Sequence, residues 1–214
     1  MQKDFKEFVF RLGERLDKPL PGRDAQVKMA PYPVDESRFQ ENLSKPSRPG
    51  GVMILLYPHN GDIYLPLMKR PTYTGAHSGQ VSFPGGKFEQ EDLDLRTTAL
   101  RETEEEIGVR SEEVEVIGAL SELFIIASNF KVYPSVGYVS KRPVFVPDAV
   151  EVESVLEVSL SHLRDLSRRG VEQMTFGNYT IHSPYFDVDG HVVWGATAMM
   201  LSEFLDVTAD LGLT

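Results

Sequence analysis

Glu102, Glu105 and Glu106 lie at i, i+3 and i+4 in the stretch Phe83 to Val109, FPGGKFEQEDLDLRTTALRETEEEIGV. On a 3.6-residue period these carboxylates share one helical face. Like charges at that spacing disfavour a helix by about 0.2–0.5 kcal/mol per pair. An arrangement that gathers them needs open water or a cation to offset the repulsion. Hard divalent cations such as Mg²⁺ take oxygen ligands of this kind. A solvated acidic face is the ordinary reading of a charge run. Gly85 and Gly86 upstream and Arg101 beside the acids favour the cation, because a glycine pair lets a backbone carbonyl approach a ligand closely.

The elements that must position these groups follow from the patterning around them. Thr97 to Ile107 reads as the acidic helix, with Leu100, Thr103 and Ile107 as its buried stripe and Gly108 as its terminating residue. Gly51 to Tyr57, GVMILLY, reads as a central strand. It is followed by the turn PHNGD, with Asn60 and Gly61 as the positive-φ pair, and by a return strand, Ile63 to Met68. Lys69 and Arg70 end that strand just before the small-residue loop Thr74 to Gly79, a place that suits an anionic substrate group. His77, Gly79 and Gln80 complete the candidate substrate-binding set, with His77 read as a hydrogen-bonding or substrate-contacting group rather than a general base.

Residues 3 to 16 place Phe5, Phe8, Leu12 and Leu16 at helical spacing, so a short amphipathic helix docked on the domain is expected. Pro19 to Gly51 reads as a proline-rich, extended lead-in, in which Met29 to Val34 is a candidate packing segment. Downstream, Glu115 to Leu120 and Lys131 to Ser140 read as strands, with Pro134 placing the second at an edge or a bulge. Ser161 to Arg169 reads as a helix stopped by Gly170. Phe176 to Ile181 and Pro184 to Trp194 read as strands, the second turning at Asp189 and Gly190, and WGATA opens a last helix.

Composition bounds the function. The chain of 214 residues is 41% hydrophobic, enough for one well-cored domain, expected at 51–214 behind an N-terminal extension at 1–50. With no cysteine there is no disulfide framework, thiolate metal site or cysteine nucleophile, which fits a cytoplasmic protein. The opening MQKDFKEFVF lacks a signal-peptide layout. No apolar run approaches the roughly 20 residues needed to span a bilayer, so no membrane partner is expected. A net charge of −10 argues against non-specific nucleic-acid binding.

The acidic stretch resembles the Nudix box, G-x5-E-x7-R-E-U-x-E-E-x-G-U, with U a bulky aliphatic residue. Gly86, Arg101, Glu102, Glu105, Glu106, Gly108 and Val109 fall on its fixed positions. Asp92 takes the first acidic position, one residue further from Arg101 than in the pattern, and Thr103 takes the first aliphatic slot. The aspartate and the extra residue resemble the coenzyme A pyrophosphatase branch. So does PLMKRPTYTGAHSGQVSFPGG, Pro66 to Gly86, although Gly75 stands where that branch's signature carries its second arginine. The pair Glu151 and Val152 and the segment WGATA are similar to further segments of the same branch.

The resemblance implies a mixed sheet sandwiched between helices, an α/β/α arrangement, and a homodimer. It assigns Glu102, Glu105 and Glu106 to Mg²⁺ or Mn²⁺, with the Gly86 carbonyl added and Arg101 orienting a glutamate by a bidentate ion pair. Glu151 becomes a further metal ligand or the base. The implied reaction is metal-dependent hydrolysis of a pyrophosphate bond in a small nucleotide-derived substrate. Coenzyme A or acyl-coenzyme A is the expected substrate, giving 3′,5′-ADP and (acyl-)phosphopantetheine. ADP-ribose or NADH is the alternative, and a non-catalytic nucleotide-binding regulatory module is the third reading.

Overall fold

Strand β1, Arg48–His59, explains the layering, because its apolar run is buried on both faces, as expected of a strand inside a sandwich. Met53, Leu55 and Tyr57 join Ala99 and Ile107 in one core cluster. The alternate residues Ile54 and Leu56 join Phe8, Leu12, Leu201 and Phe204 in the other. The computed structural model describes residues 2–33, 46–73, 77–126, 128–176 and 179–212.

Helix α1, Gln2–Leu16, buries Phe5, Phe8, Leu12 and Leu16, the face read from their spacing, and packs on the sheet at β5, Glu115–Ala119. A short α2, Arg23–Gln26, and a 3₁₀ turn, Val27–Met29, follow within the lead-in. Met29 and Ala30 are buried, and Tyr32 exchanges backbone hydrogen bonds with His182. Val34 lies outside the described residues.

The β1 hairpin closes through Asn60 and Gly61, both with positive φ, into β2, Asp62–Lys69. Strands β3, Val81–Ser82, and β4, Gly85–Lys87, lead to α3, Leu95–Ile107. The chain continues through β5, β6 (Leu123–Ile125), β7 (Phe130–Tyr138) and β8 (Ser154–Ser159). Among the described residues these form one eight-stranded mixed sheet with the path β3-β2-β1-β7-β5; β1 and β7 are parallel, and β4, β6 and β8 pair with β1, β7 and β2. Helix α3 covers one face, while α1 and α5, Gly195–Val207, belong to the core on the other, the expected α/β/α order.

Two expectations change. Pro134 is in a central strand, not at an edge, and needs no bulge of its own. It falls where the partner of β7 switches from β6 to β5; its carbonyl accepts from the Leu120 N–H at 2.9 Å, and its missing N–H costs only the second bond of that one pair at the switch. The helix read for Ser161 to Arg169 is only α4, Leu160–Arg164. Asp165 then accepts the Ser167 N–H with its own side chain, a local bond that competes with helix continuation. The chain beyond forms a separate three-stranded sheet of β9 (Arg169–Phe176), β10 (Tyr179–Val188) and β11 (His191–Trp194).

Candidate active site

Helix α3 starts at Asp94, whose carboxylate accepts the Thr97 N–H at 2.7 Å, and ends at Gly108 with φ 73°. Its glutamates occupy the last turns, where the negative end of the helix dipole adds to their mutual repulsion. Two arginines meet that excess charge. Arg70, at the end of β2, reaches Glu106 Oε1 at 3.2 Å, and Arg101 Nη1 lies 3.0 Å from Glu102 Oε1 and 2.8 Å from Glu105 Oε2.

Glu106 is the most enclosed of the three, 2% exposed, and also accepts the Gly85 N–H at 2.7 Å. Burial pushes its carboxyl up to about 8; Arg70 and the Gly85 amide pull against this, while the charges of Glu102 and Glu151 add to it. Burial also raises Glu102, opposed by Arg101 and reinforced by Glu105 and Glu151. Glu105 stays at the mouth, its side chain 58% exposed. Glu151 sits in an exposed turn before β8 rather than on a strand, with its charge acting on Glu102 and Glu106.

Among the described residues no three acidic or histidine side chains converge into a ready-made metal cage. The arginines hold the carboxylates in ion pairs instead. The donor set still fits a hard divalent cation: Glu102, Glu105 and Glu106 bring three carboxyl groups to one helix face, and a bound cation's charge would favour their ionised forms over the protonated form that burial favours at Glu106. A Cβ on Gly86 would overlap the Glu102 carboxylate, so glycine is what leaves room for it.

Two assignments are corrected by geometry. Gly86 pairs with Gly51 in the ladder, and flanking bonds from Met53 N to Pro84 O and Phe88 N to Pro49 O make that pair a hydrogen-bonded one. Its carbonyl therefore faces β1. The carbonyl beside the carboxylates belongs to Gly85, which takes a 3.4 Å contact from Arg70 Nη2. Arg101 makes its bidentate pair with Asp92, Nε to Oδ1 at 3.0 Å and Nη2 to Oδ2 at 3.2 Å, and meets the glutamates through one nitrogen.

The Asp92 carboxylate, 2% exposed, also accepts from Thr98 Oγ1 and the Glu89 N–H. Hydrogen bonding from Arg101, followed by the Glu89 and Thr98 donors, outweighs burial and holds Asp92 down at about 2. Its stabilising contribution is complete above the unfolded value near 3.9 and is lost as pH falls toward about 2. Asp92→Asn is expected to lower stability at neutral pH by about 2 kcal/mol and to flatten the stability curve between pH 4 and 2. Urea unfolding across that range checks both. The signal in the sequence was the acid at the first acidic box position; its partner was not legible.

The remaining substrate candidates bond to residues other than the α3 glutamates. Lys69 Nζ is 2.6 Å from Glu153 Oε1. His77 Nδ1 and Gln80 Oε1 are 2.8 Å apart, and the Gly79 N–H donates to Pro71 O at 3.1 Å. Only Arg70 of this set reaches the glutamates. Gly75 lies outside the described residues.

Residues 47–158 match the NUDIX domain family, and the chain belongs to that family. It is 37% identical over 193 residues to Nudix hydrolase 15, mitochondrial, of Arabidopsis thaliana, covering 86% of this chain and 65% of that protein. The match thus spans less than two thirds of that relative's length. Mitochondrial coenzyme A diphosphatase NUDT8 of Mus musculus is 31% identical, with 82% of this chain and 88% of that one covered. A Nudix hydrolase from M. Smegmatis, RenU, shares the fold at 14% identity and a TM-score of 0.54, over 79% of this chain and 91% of that one.

Proposed function

We propose that the protein is a metal-dependent pyrophosphohydrolase of a nucleoside diphosphate derivative, with coenzyme A or an acyl-coenzyme A as substrate. The observation that carries this reading is the half-buried carboxylate group of α3, with Glu106 set against the Gly85 backbone and Glu151 within electrostatic reach. Glu102, Glu105 and Glu106, with the Gly85 carbonyl, are the groups that would hold Mg²⁺ or Mn²⁺. Such an ion supplies charge neutralisation at the phosphoryl oxygens and lowers the pKa of the attacking water. Arg70 gives up Glu106 to a substrate phosphate, a donor suited to it by charge and fork geometry. Glu151 accepts the water proton on its carboxylate. Arg101, locked to Asp92, keeps Glu102 and Glu105 aligned.

The name of the mouse relative and the residues Leu67, Arg70, Gly79 and Phe83 to Gly86 support coenzyme A. Gly75 in place of the signature's second arginine keeps ADP-ribose and NADH as the alternative. A non-catalytic module is disfavoured, since all three helix glutamates remain. Purified protein incubated with coenzyme A, ADP-ribose, NADH and diadenosine polyphosphates, with Mg²⁺ or Mn²⁺, is expected to consume coenzyme A fastest and to release 3′,5′-ADP. Indifference to coenzyme A with turnover of another compound overturns the narrow substrate; indifference to all overturns the hydrolase.

A homodimer belongs to the same proposal. In β9 Val171, Glu172, Gln173 and Thr175 are all exposed, and among the described residues β9 is an edge strand of its sheet, the kind of strand that pairs with a second copy. Sedimentation of the purified chain at twice the monomer mass is the expected result.

A further inference from the structure

The loop between β7 and β8 is bolted to the catalytic helix through carbonyls that a helix end leaves free. The Val146 N–H donates to Ile107 O at 3.0 Å and the Asp148 N–H to Glu106 O at 2.9 Å. At its far end the Glu153 N–H donates to Lys69 O at 2.9 Å. Between these anchors Asp148 Oδ1 accepts two backbone donors, the Val150 N–H at 2.8 Å and the Glu151 N–H at 2.9 Å. Its carbonyl accepts the Val152 N–H at 3.0 Å. This is an aspartate-capped turn; Asp148 to Glu151 are exposed, and core packing resumes only at Val152, which is buried in one core cluster with Ile107 and Met53.

We infer that Asp148 is a positioning residue: its carboxylate fixes the turn that presents Glu151 to the glutamates of α3, while its own amide ties that turn to Glu106. The inference rests on the proposed role of Glu151 in hydrolysis. The same residue touches the helix backbone and the turn, so the spacing between Glu106 and Glu151 is set by a few short bonds rather than by a flexible loop. Asp148 contacts no reacting group itself. Removing its side chain frees the two amides, and Glu151 then samples orientations in which it cannot take the water proton.

The test compares Asp148→Ala, Asp148→Asn, Glu151→Gln and the double variant Asp148→Ala/Glu151→Gln, with the pyrophosphate substrate that the wild type consumes. Asp148→Ala is expected to lower kcat roughly tenfold or more with KM little changed, since proper placement of a catalytic group is worth that much. Asp148→Asn, whose amide oxygen accepts the same two bonds, is expected to restore most of it. The double variant should be no slower than Glu151→Gln. Amide exchange by NMR in the metal-free protein gives a readout independent of turnover: the Val150 and Glu151 amides should exchange roughly tenfold faster in Asp148→Ala and at the wild-type rate in Asp148→Asn.

Full activity in Asp148→Ala, or a loss that multiplies with that of Glu151→Gln, overturns the positioning role. Failure of Asn to rescue either readout overturns it as well. If Glu151→Gln itself keeps wild-type turnover, the assignment of Glu151 fails, and the positioning role fails with it. A wild-type protein inert toward every pyrophosphate substrate refutes the hydrolase reading, and the positioning role with it, even where the amide readout responds to Asp148→Ala.

Discussion

Glu106→Gln is expected to reduce hydrolysis about a thousandfold while leaving the metal-free protein folded. The loss follows from replacing an anionic ligand by a neutral amide at the most enclosed position of the carboxylate group, where charge stabilisation counts most. The fold survives because Glu106 is itself held largely protonated at pH 7, its carboxyl pushed by burial from 4.5 to about 8. A glutamine oxygen can still accept from the Gly85 N–H.

A stability difference of the opposite sign accompanies the lost activity. An acid whose folded pKa lies above its unfolded value favours the folded state less as pH rises, here from about 4.5 through about 8. Glutamine has no proton to lose. In EDTA the variant should therefore melt at or above the wild-type temperature beyond pH 8, which thermal unfolding at pH 6, 7 and 9 reads directly. Wild-type turnover in Glu106→Gln removes the residue from the site, and a lower melting temperature at pH 9 refutes the burial argument.

Gly51→Ala is expected to be the most damaging small substitution in the scaffold. At Gly51 β1 crosses the first turns of α3 so closely that a Cβ would overlap the Leu95 carbonyl, with Ala99 N at 3.0 Å and Thr98 Cβ at 3.2 Å. Two of these are backbone atoms of regular elements, so the added methyl must separate strand from helix. Overpacking of this kind costs about 3 kcal/mol or more, a melting-temperature fall of about 6–12 °C for a chain of this size. Gly13→Ala is the control: in α1 its nearest neighbours would be 3.9 Å away or further, and helix propensity alone predicts a gain of up to about 1 kcal/mol. Equal melting temperatures for the two variants would contradict the close approach. Because Gly51 also pairs with Gly86, displacement of α3 should lower activity in parallel.

The elements easiest to read in the sequence were those whose own residues carry the signal. The face of α1, the burial of the Gly51 to Tyr57 run, the Asn60–Gly61 turn and the Gly108 stop each depend on local periodicity or on one backbone angle. Pro134 was misplaced for the converse reason. Whether a missing N–H matters depends on which strand lies opposite, and the switch from β6 to β5 is set by chain far from the proline.

The site divides along the same line. Glu102, Glu105, Glu106 and Arg101 were legible because helical spacing places them on one face before any fold is known. The spacing could not say which glutamate is buried, that Arg70 reaches across from β2 to Glu106, or that Arg101 makes its two-nitrogen pair with Asp92 and meets the glutamates through one nitrogen. Nor could it choose between two adjacent glycines, a choice that follows from the register of β4 on β1. Charge type and local spacing are properties of the chain by itself, so the sequence determined the family and the group that can hold a cation. Burial, pairing and register arise only when distant segments meet, so tertiary structure alone decided which carboxylate holds its proton, which carbonyl faces the site, and how Asp148 holds Glu151 beside it.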